Sequence, residues 1–212
     1  MKHLLFICSF LVSILTLAQE EKPNKSDYPL IKPEFVLDGR QTLVSSQGAR
    51  LGGIRAGVEI RRVNRFGIGY YSLSNGVETT SLNEISNTIT SANLKMNYWS
   101  MYYERVLHFS KKYEWSATVH LGSGKVEGDY LYENGSSGHY DEPIQLTEFS
   151  STFYRHLTYF ISVGGGIGYR YTNNAPEELK PIYNAPVLLL KFRIQPLKMV
   201  RGFWNKDIRK RY

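Results

Sequence analysis

Ile54-Arg55-Ala56-Gly57-Val58-Glu59-Ile60-Arg61 alternates residue by residue between apolar and polar or glycine. In an extended chain successive side chains point to opposite sides. Ile54, Ala56, Val58 and Ile60 therefore share one face, and Arg55, Gly57, Glu59 and Arg61 share the other. A strand of a water-soluble sandwich would turn the apolar face inward and the charges to water. The neighbouring segments decide between that arrangement and its inverse.

Working outward, the same period recurs between turn signals. Eight strands are predicted, over Glu34–Val44, Arg50–Arg61, Phe66–Leu73, Leu94–Leu107, Tyr113–Val126, Ile144–Arg155, Tyr159–Tyr171 and Pro186–Gln195. Trp99, Met101, Tyr103 and Leu107 oppose Ser100, Tyr102 and Glu104, although Arg105 falls on the apolar side. Trp115, Ala117, Val119 and Leu121 oppose Ser116, Thr118, His120 and Gly122. Ile161, Val163, Gly165, Ile167 and Tyr169 oppose Ser162, Gly164, Gly166, Gly168 and Arg170. Leu188, Leu190, Phe192 and Ile194 oppose Lys191 and Arg193, with Leu189 as an apolar exception.

The connections carry a second signal. Arg62–Arg65, His108–Lys112 and His156–Thr158 are short, whereas Ser74–Asn93, Glu127–Pro143 and Thr172–Ala185 are long. Short and long alternate in phase, as in barrels whose turns lie on one side of a membrane and whose loops lie on the other. Ser45–Ala49, after the first strand, is short and breaks the rule. The fold expected is all-β: an eight-stranded antiparallel up-and-down transmembrane β-barrel. An extra hairpin within Ser74–Asn93 would raise the count to ten.

Repeated charges on one face do not suit a dry soluble core. They suit a polar lumen, with the apolar face toward lipid. The predicted lumen network is Arg40, Arg55, Glu59, Arg61, Glu104, Glu148, Arg170, Lys191 and Arg193. In a barrel this narrow they should pair and fill the interior rather than leave a channel. Aromatics make up 14% of the chain, with 16 tyrosines, and they gather at strand ends. Tyr70, Tyr71, Tyr98, Trp99, Tyr169 and Tyr171 lie toward the long loops, and Trp115, Tyr154 and Tyr159 toward the short turns, with Phe66, Phe109 and Tyr113. They are expected to form two interfacial girdles.

The ends of the chain read differently. Met1-Lys2-His3, the apolar run Leu4–Leu17 and Thr16-Leu17-Ala18 form a signal-peptide pattern over residues 1–18. That run is shorter than the roughly 20 residues of a spanning helix. Residues 19–33 read as a polar linker with Pro23, Pro29 and Pro33, residues 34–196 as the barrel, and residues 197–212 as a basic periplasmic tail. The one cysteine, Cys8, lies inside the signal, so the mature chain has no thiol for a disulfide or a metal. The formal charge of +7 becomes +6 without Lys2. A secreted chain makes nucleic acid an unsuitable partner.

The stretch Val36-Leu37-Asp38-Gly39-Arg40, with Arg50–Val58, Arg65-Phe66-Gly67-Ile68-Gly69-Tyr70-Tyr71, Gly164–Tyr171 and Leu188–Ile194, resembles a group of outer-membrane β-barrels from Bacteroidetes. Its architecture is similar to the small OmpA/OmpX-type barrels. The resemblance spans most of the mature chain and implies a barrel, with no particular activity. Tyr212 departs from it, because a terminal aromatic would normally close the last strand and here follows a basic tail.

Three chemical alternatives are weaker. Gly164-Gly165-Gly166-Ile167-Gly168 is glycine-rich, but a phosphate loop needs a helix after it, and Tyr169-Arg170-Tyr171 continues a strand. His120 with Ser116 or Ser123 and Glu104 or Glu148 could be drawn as a hydrolytic triad of a lipid A deacylase type. The run His120-Leu121-Gly122-Ser123 lacks that type's asparagine, and alternation points His120 inward. Glu127, Asp129, Glu133, Asp141 and Glu142 make an acidic loop without ordered ligand spacing. The expectation is a monomeric protein of the cell outer membrane, with no catalysis, metal or cofactor. Its partners would be outer-membrane lipid and a ligand of its long loops. A soluble periplasmic ligand-binding barrel is the other reading.

Overall fold

The computed structural model describes residues 31–44, 47–73, 77–78, 89–132, 135–173 and 184–196. The signal peptide, residues 19–30 of the linker and the basic tail lie outside the described residues. The strands are β1 Ile31–Val44, β2 Gln47–Ile60, β3 Asn64–Leu73, β4 Val77–Glu78, β5 Ile89–Phe109, β6 Tyr113–Tyr132, β7 Ser137–His156, β8 Ile161–Thr172 and β9 Ala185–Ile194. Each barrel strand pairs antiparallel with its sequence neighbours, β1 pairs with β9, and β3 pairs with β5. The sheet thus closes as an eight-stranded up-and-down barrel without edges. β4 adds only a two-residue ladder, Val77 with Leu94 and Glu78 with Asn93, on the side of β5 beyond β3.

Several boundaries differ from the sequence reading. Ile31, Lys32 and Pro33 belong to β1, not to a linker. Their alternation already matches the strand, with Lys32 buried and Ile31 outside. β3 begins at Asn64, which moves Arg65 from a turn onto the inward face. β8 begins at Ile161. Leu157–Phe160 form a bend in which the Thr158 hydroxyl accepts the backbone N–H of Phe160 and of Ile161, at 3.4 and 3.1 Å.

The segment 127–143 is mostly strand rather than loop. β6 runs to Tyr132 and β7 starts at Ser137, with pairing continuous to Leu131 opposite Ser137. β8 stops at Thr172, opposite Leu146. β5 follows β6 as far as Ile89 opposite Tyr132. Upper β5, β6 and β7 therefore rise together beyond the barrel as a three-stranded sheet. Its ladder satisfies backbone groups that a loop would leave to water.

Burial is inverted relative to a soluble domain. Outward Met101 and Leu190 are 69% and 67% exposed, while inward Glu104 is 0% exposed. Among the described residues, an apolar cluster of Leu51, Tyr71, Met96, Tyr98, Val126, Ile144 and Leu146 fills the lumen toward the long-loop end. Below it the interior is mostly polar, with Val36, Tyr102, Val106 and Tyr154 buried among the charges. Glycines make room for inward aromatics: a Cβ on Gly164 would lie 2.5 Å from the Tyr154 ring.

Candidate functional site

The alternation of every barrel strand delivers charged side chains to one enclosed volume. Among the described residues, seven cations, Lys32, Arg40, Arg55, Arg65, Arg170, Lys191 and Arg193, and six anions, Glu34, Asp38, Glu59, Glu104, Glu114 and Glu148, are buried there. The near balance matters, because an uncompensated charge away from water costs several kcal/mol.

Toward the short-turn end, Arg65 and Arg193 sandwich two carboxylates. Arg65 donates to Glu114 at 2.7 and 2.8 Å and to Glu104 at 2.7 Å. Arg193 donates to Glu114 at 2.6 Å and to Glu104 at 2.5 Å. Glu34 accepts from the Tyr102 hydroxyl at 3.1 Å and lies 3.3 and 3.4 Å from Arg65 and Arg193. Glu59 takes Arg65 at 2.7 Å, with Lys32 at 3.7 Å. The Arg193 guanidinium stacks on Tyr154, 3.7 Å from the ring centroid.

A second layer lies nearer the apolar plug. Arg40 donates to Asp38 at 3.0 Å and to the hydroxyls of Tyr71 and Tyr98 at 2.7 and 3.1 Å. It also pairs with Glu148 at 2.8 Å, and Arg170 pairs with the same carboxylate at 3.1 Å. Arg55 links the layers, 3.1 Å from Glu104 and 3.7 Å from Asp38. Lys191 donates to Thr152 at 3.0 Å.

The lumen residues named from sequence meet in this network, with one exception. Arg61 is exposed in the turn after β2, because that strand ends at Ile60 and the backbone there turns to positive φ. Lys32, Glu34, Asp38, Arg65 and Glu114 belong to the network and were missed. The signal is in the sequence: Lys32 and Arg65 continue the period of their strands beyond the predicted bounds, and Glu34, Asp38 and Glu114 lie on the inward face within them.

The girdle set divides. Tyr70, Trp99, Trp115, Tyr169 and Tyr171 are exposed on the outer wall, as are Phe66 and Tyr113. Tyr159 lies half-buried in the bend before β8, and Phe109 is half-buried at the end of β5. Tyr71, Tyr98 and Tyr154 are instead fully inside. Tyr70 and Tyr71, like Tyr98 and Trp99, are consecutive, so only one of each pair faces outward. Outer rings pair across strands, Phe66 with Tyr103 at 4.8 Å and Tyr70 with Trp99 at 5.1 Å.

His120 is buried against Arg40, whose Nη2 lies 3.2 Å from its Nε2. A guanidinium can only donate. The same Nη2 is 3.5 Å from Nδ1, and Ser100 Oγ lies 3.4 Å from Nδ1. Ser123 lies exposed on the opposite side of the sheet. Ser116 is on the same face four residues away, about 13 Å along a strand. Neither Ser116 nor Ser123 is placed to give its proton to this imidazole, so the triad drawn from sequence does not assemble; the serine in contact with His120 is Ser100. Those residues also contain no cluster of metal-ligating side chains.

On the projecting sheet, Glu127, Asp129, Asp141 and Glu142 are exposed. His139 Nδ1 donates to Asp129 at 2.7 Å. That hydrogen bond holds the imidazole above its ordinary value, helped by the charges of Asp129, Asp141 and Glu127.

The sequence matches no protein-family model and no curated protein. Solved structures are similar in fold. The N-terminal β-barrel domain of Pseudomonas aeruginosa OprF superposes with a TM-score of 0.53 at 10% identity, over 77% of this chain and 96% of that one. Neisserial surface protein A gives 0.48 at 12% identity, over 79% and 97%. A major outer membrane protein from Thermus thermophilus gives 0.48 at 9% identity, over 76% and 98%. The fold of this chain is that of the small eight-stranded outer-membrane barrels.

Proposed function

We propose that this protein spans the bacterial outer membrane as a closed, non-conducting barrel and acts at the cell surface without catalysis. The observation that carries the reading is the inversion of the wall: apolar side chains outside, charge inside. From Ile161 to Tyr171 the outward face of β8 is apolar or glycine. Those ten residue steps cover about 33 Å along a strand, or about 25 Å once tilted, which matches the apolar band of such barrels. A water-soluble ligand-binding barrel would keep its apolar residues for the inside. Here the inside is filled with paired ions and capped by an apolar plug.

Surface recognition is assigned to the projecting β5–β7 sheet, which carries the exposed acids away from the barrel. The long-loop end then faces the medium and the short turns the periplasm. The Bacteroidetes resemblance of the sequence, the outer-membrane location, lipid as the surrounding partner and a monomeric state belong to this reading. The test is fractionation followed by gel migration with and without boiling. A membrane-fraction band that shifts on heating is expected. Recovery without detergent, or an unshifted band, would sink the proposal.

A further inference from the structure

The turn after β2 uses residues poorly matched to its backbone. Arg61 and Arg62 have φ of 51° and 64°, and Val63 N–H closes the turn onto Ile60 O at 3.2 Å. Two consecutive left-handed residues form a turn that favours Asn-Gly, since a Cβ there crowds the carbonyl. Strain of this kind persists where the side chains have a use.

The surroundings indicate the use. At the same short-turn end Lys111, Lys112 and Arg155 are exposed, and Arg62 stacks over Phe109 at 4.9 Å. Every acid whose side chain is described is either buried in the lumen or lies between Glu127 and Glu142 at the far end. Among the described residues the short-turn rim is therefore purely cationic on its surface. It borders directly on outward aromatics, including Phe66 and Trp115. Aromatic rings at headgroup depth with cations just beyond them suit lipid phosphates.

We infer that this rim is a docking belt for anionic phospholipid headgroups of the leaflet it faces. The inference rests on the membrane-spanning reading above. Arg61 and Arg62 supply forked donors that match phosphate oxygens, and Lys111 and Lys112 supply point charges. The cost of the left-handed turn is the trace of that selection.

The test uses the full chain in vesicles, with Trp99→Phe and Trp204→Phe leaving Trp115 as the reporter. Its fluorescence is quenched by brominated phosphatidylglycerol or by brominated phosphatidylcholine. Stronger quenching by the anionic lipid is expected, weakening in high salt. Selectivity should fall about fivefold for each rim cation removed. Arg61→Asn with Arg62→Gly suits the turn and should fold at least as well; Lys111→Gln with Lys112→Gln is the independent variant. Equal quenching by both lipids, or unchanged selectivity in both variants, overturns the proposal. Insertion is scored in the same samples by the heat-shifted band. Failure to insert overturns the spanning reading and this proposal with it, whereas insertion without selectivity overturns this proposal alone.

Discussion

Arg65 on β3 grips Glu114 on β6 through both terminal guanidinium nitrogens, at 2.7 and 2.8 Å, across β5, the strand that separates them. The contact is a cross-brace rather than a neighbour contact. It ties strands that share no ladder, and Arg193 repeats it from β9.

Removing one member should expose the cost of the other. Arg65→Ala leaves Glu104 and Glu114 short of a partner in a sealed interior. A loss of about 3–5 kcal/mol is expected, measured by urea unfolding in lipid vesicles. Arg65→Met with Glu114→Leu should cost less than the sum of the single changes. Strict additivity would argue against a direct pair.

Gly164 is the floor beneath Tyr154. Gly164→Ala would set a Cβ against the ring and should destabilise by about 1–3 kcal/mol. Tyr154→Ala, which opens the space, should make Gly164→Ala nearly neutral. An equal penalty in both backgrounds would mean that the ring is not seated there.

Leu190, near the middle of the outward face of β9, tests what the wall meets. Leu190→Arg should cost about 2–4 kcal/mol in a bilayer, as for charges at the midplane of such barrels. If the protein lived in water, the same change at an exposed site would be close to neutral. Unfolding midpoints in vesicles read the difference.

The tip of the projecting sheet should respond to pH through His139. Its affinity for protons is raised by Asp129, so the pair stabilises the tip fully below the unfolded histidine value. That contribution disappears as pH rises through the higher folded value. Amide exchange around Asp129 and His139, corrected for intrinsic rates, should quicken over that interval, and Asp129→Asn should abolish the step. Protection that rises with pH would contradict the sign.

Period-two alternation determined the inner and outer faces, because it follows from local strand geometry and needs no knowledge of neighbours. It placed Arg55, Glu104, Arg170 and Arg193 inside from sequence alone. Where a strand was drawn too short, as before Phe66 and before Glu34, inward Arg65 and Lys32 were lost. Counting aromatics at strand ends without their parity sent Tyr71, Tyr98 and Tyr154 to the wrong side. Partner choice was beyond the sequence. Arg193 meets Glu104, 89 positions away, only because closure and stagger bring β9 and β5 to face each other at one height. Faces are set by the backbone of each strand, but contacts across a lumen are set by how the whole cylinder closes.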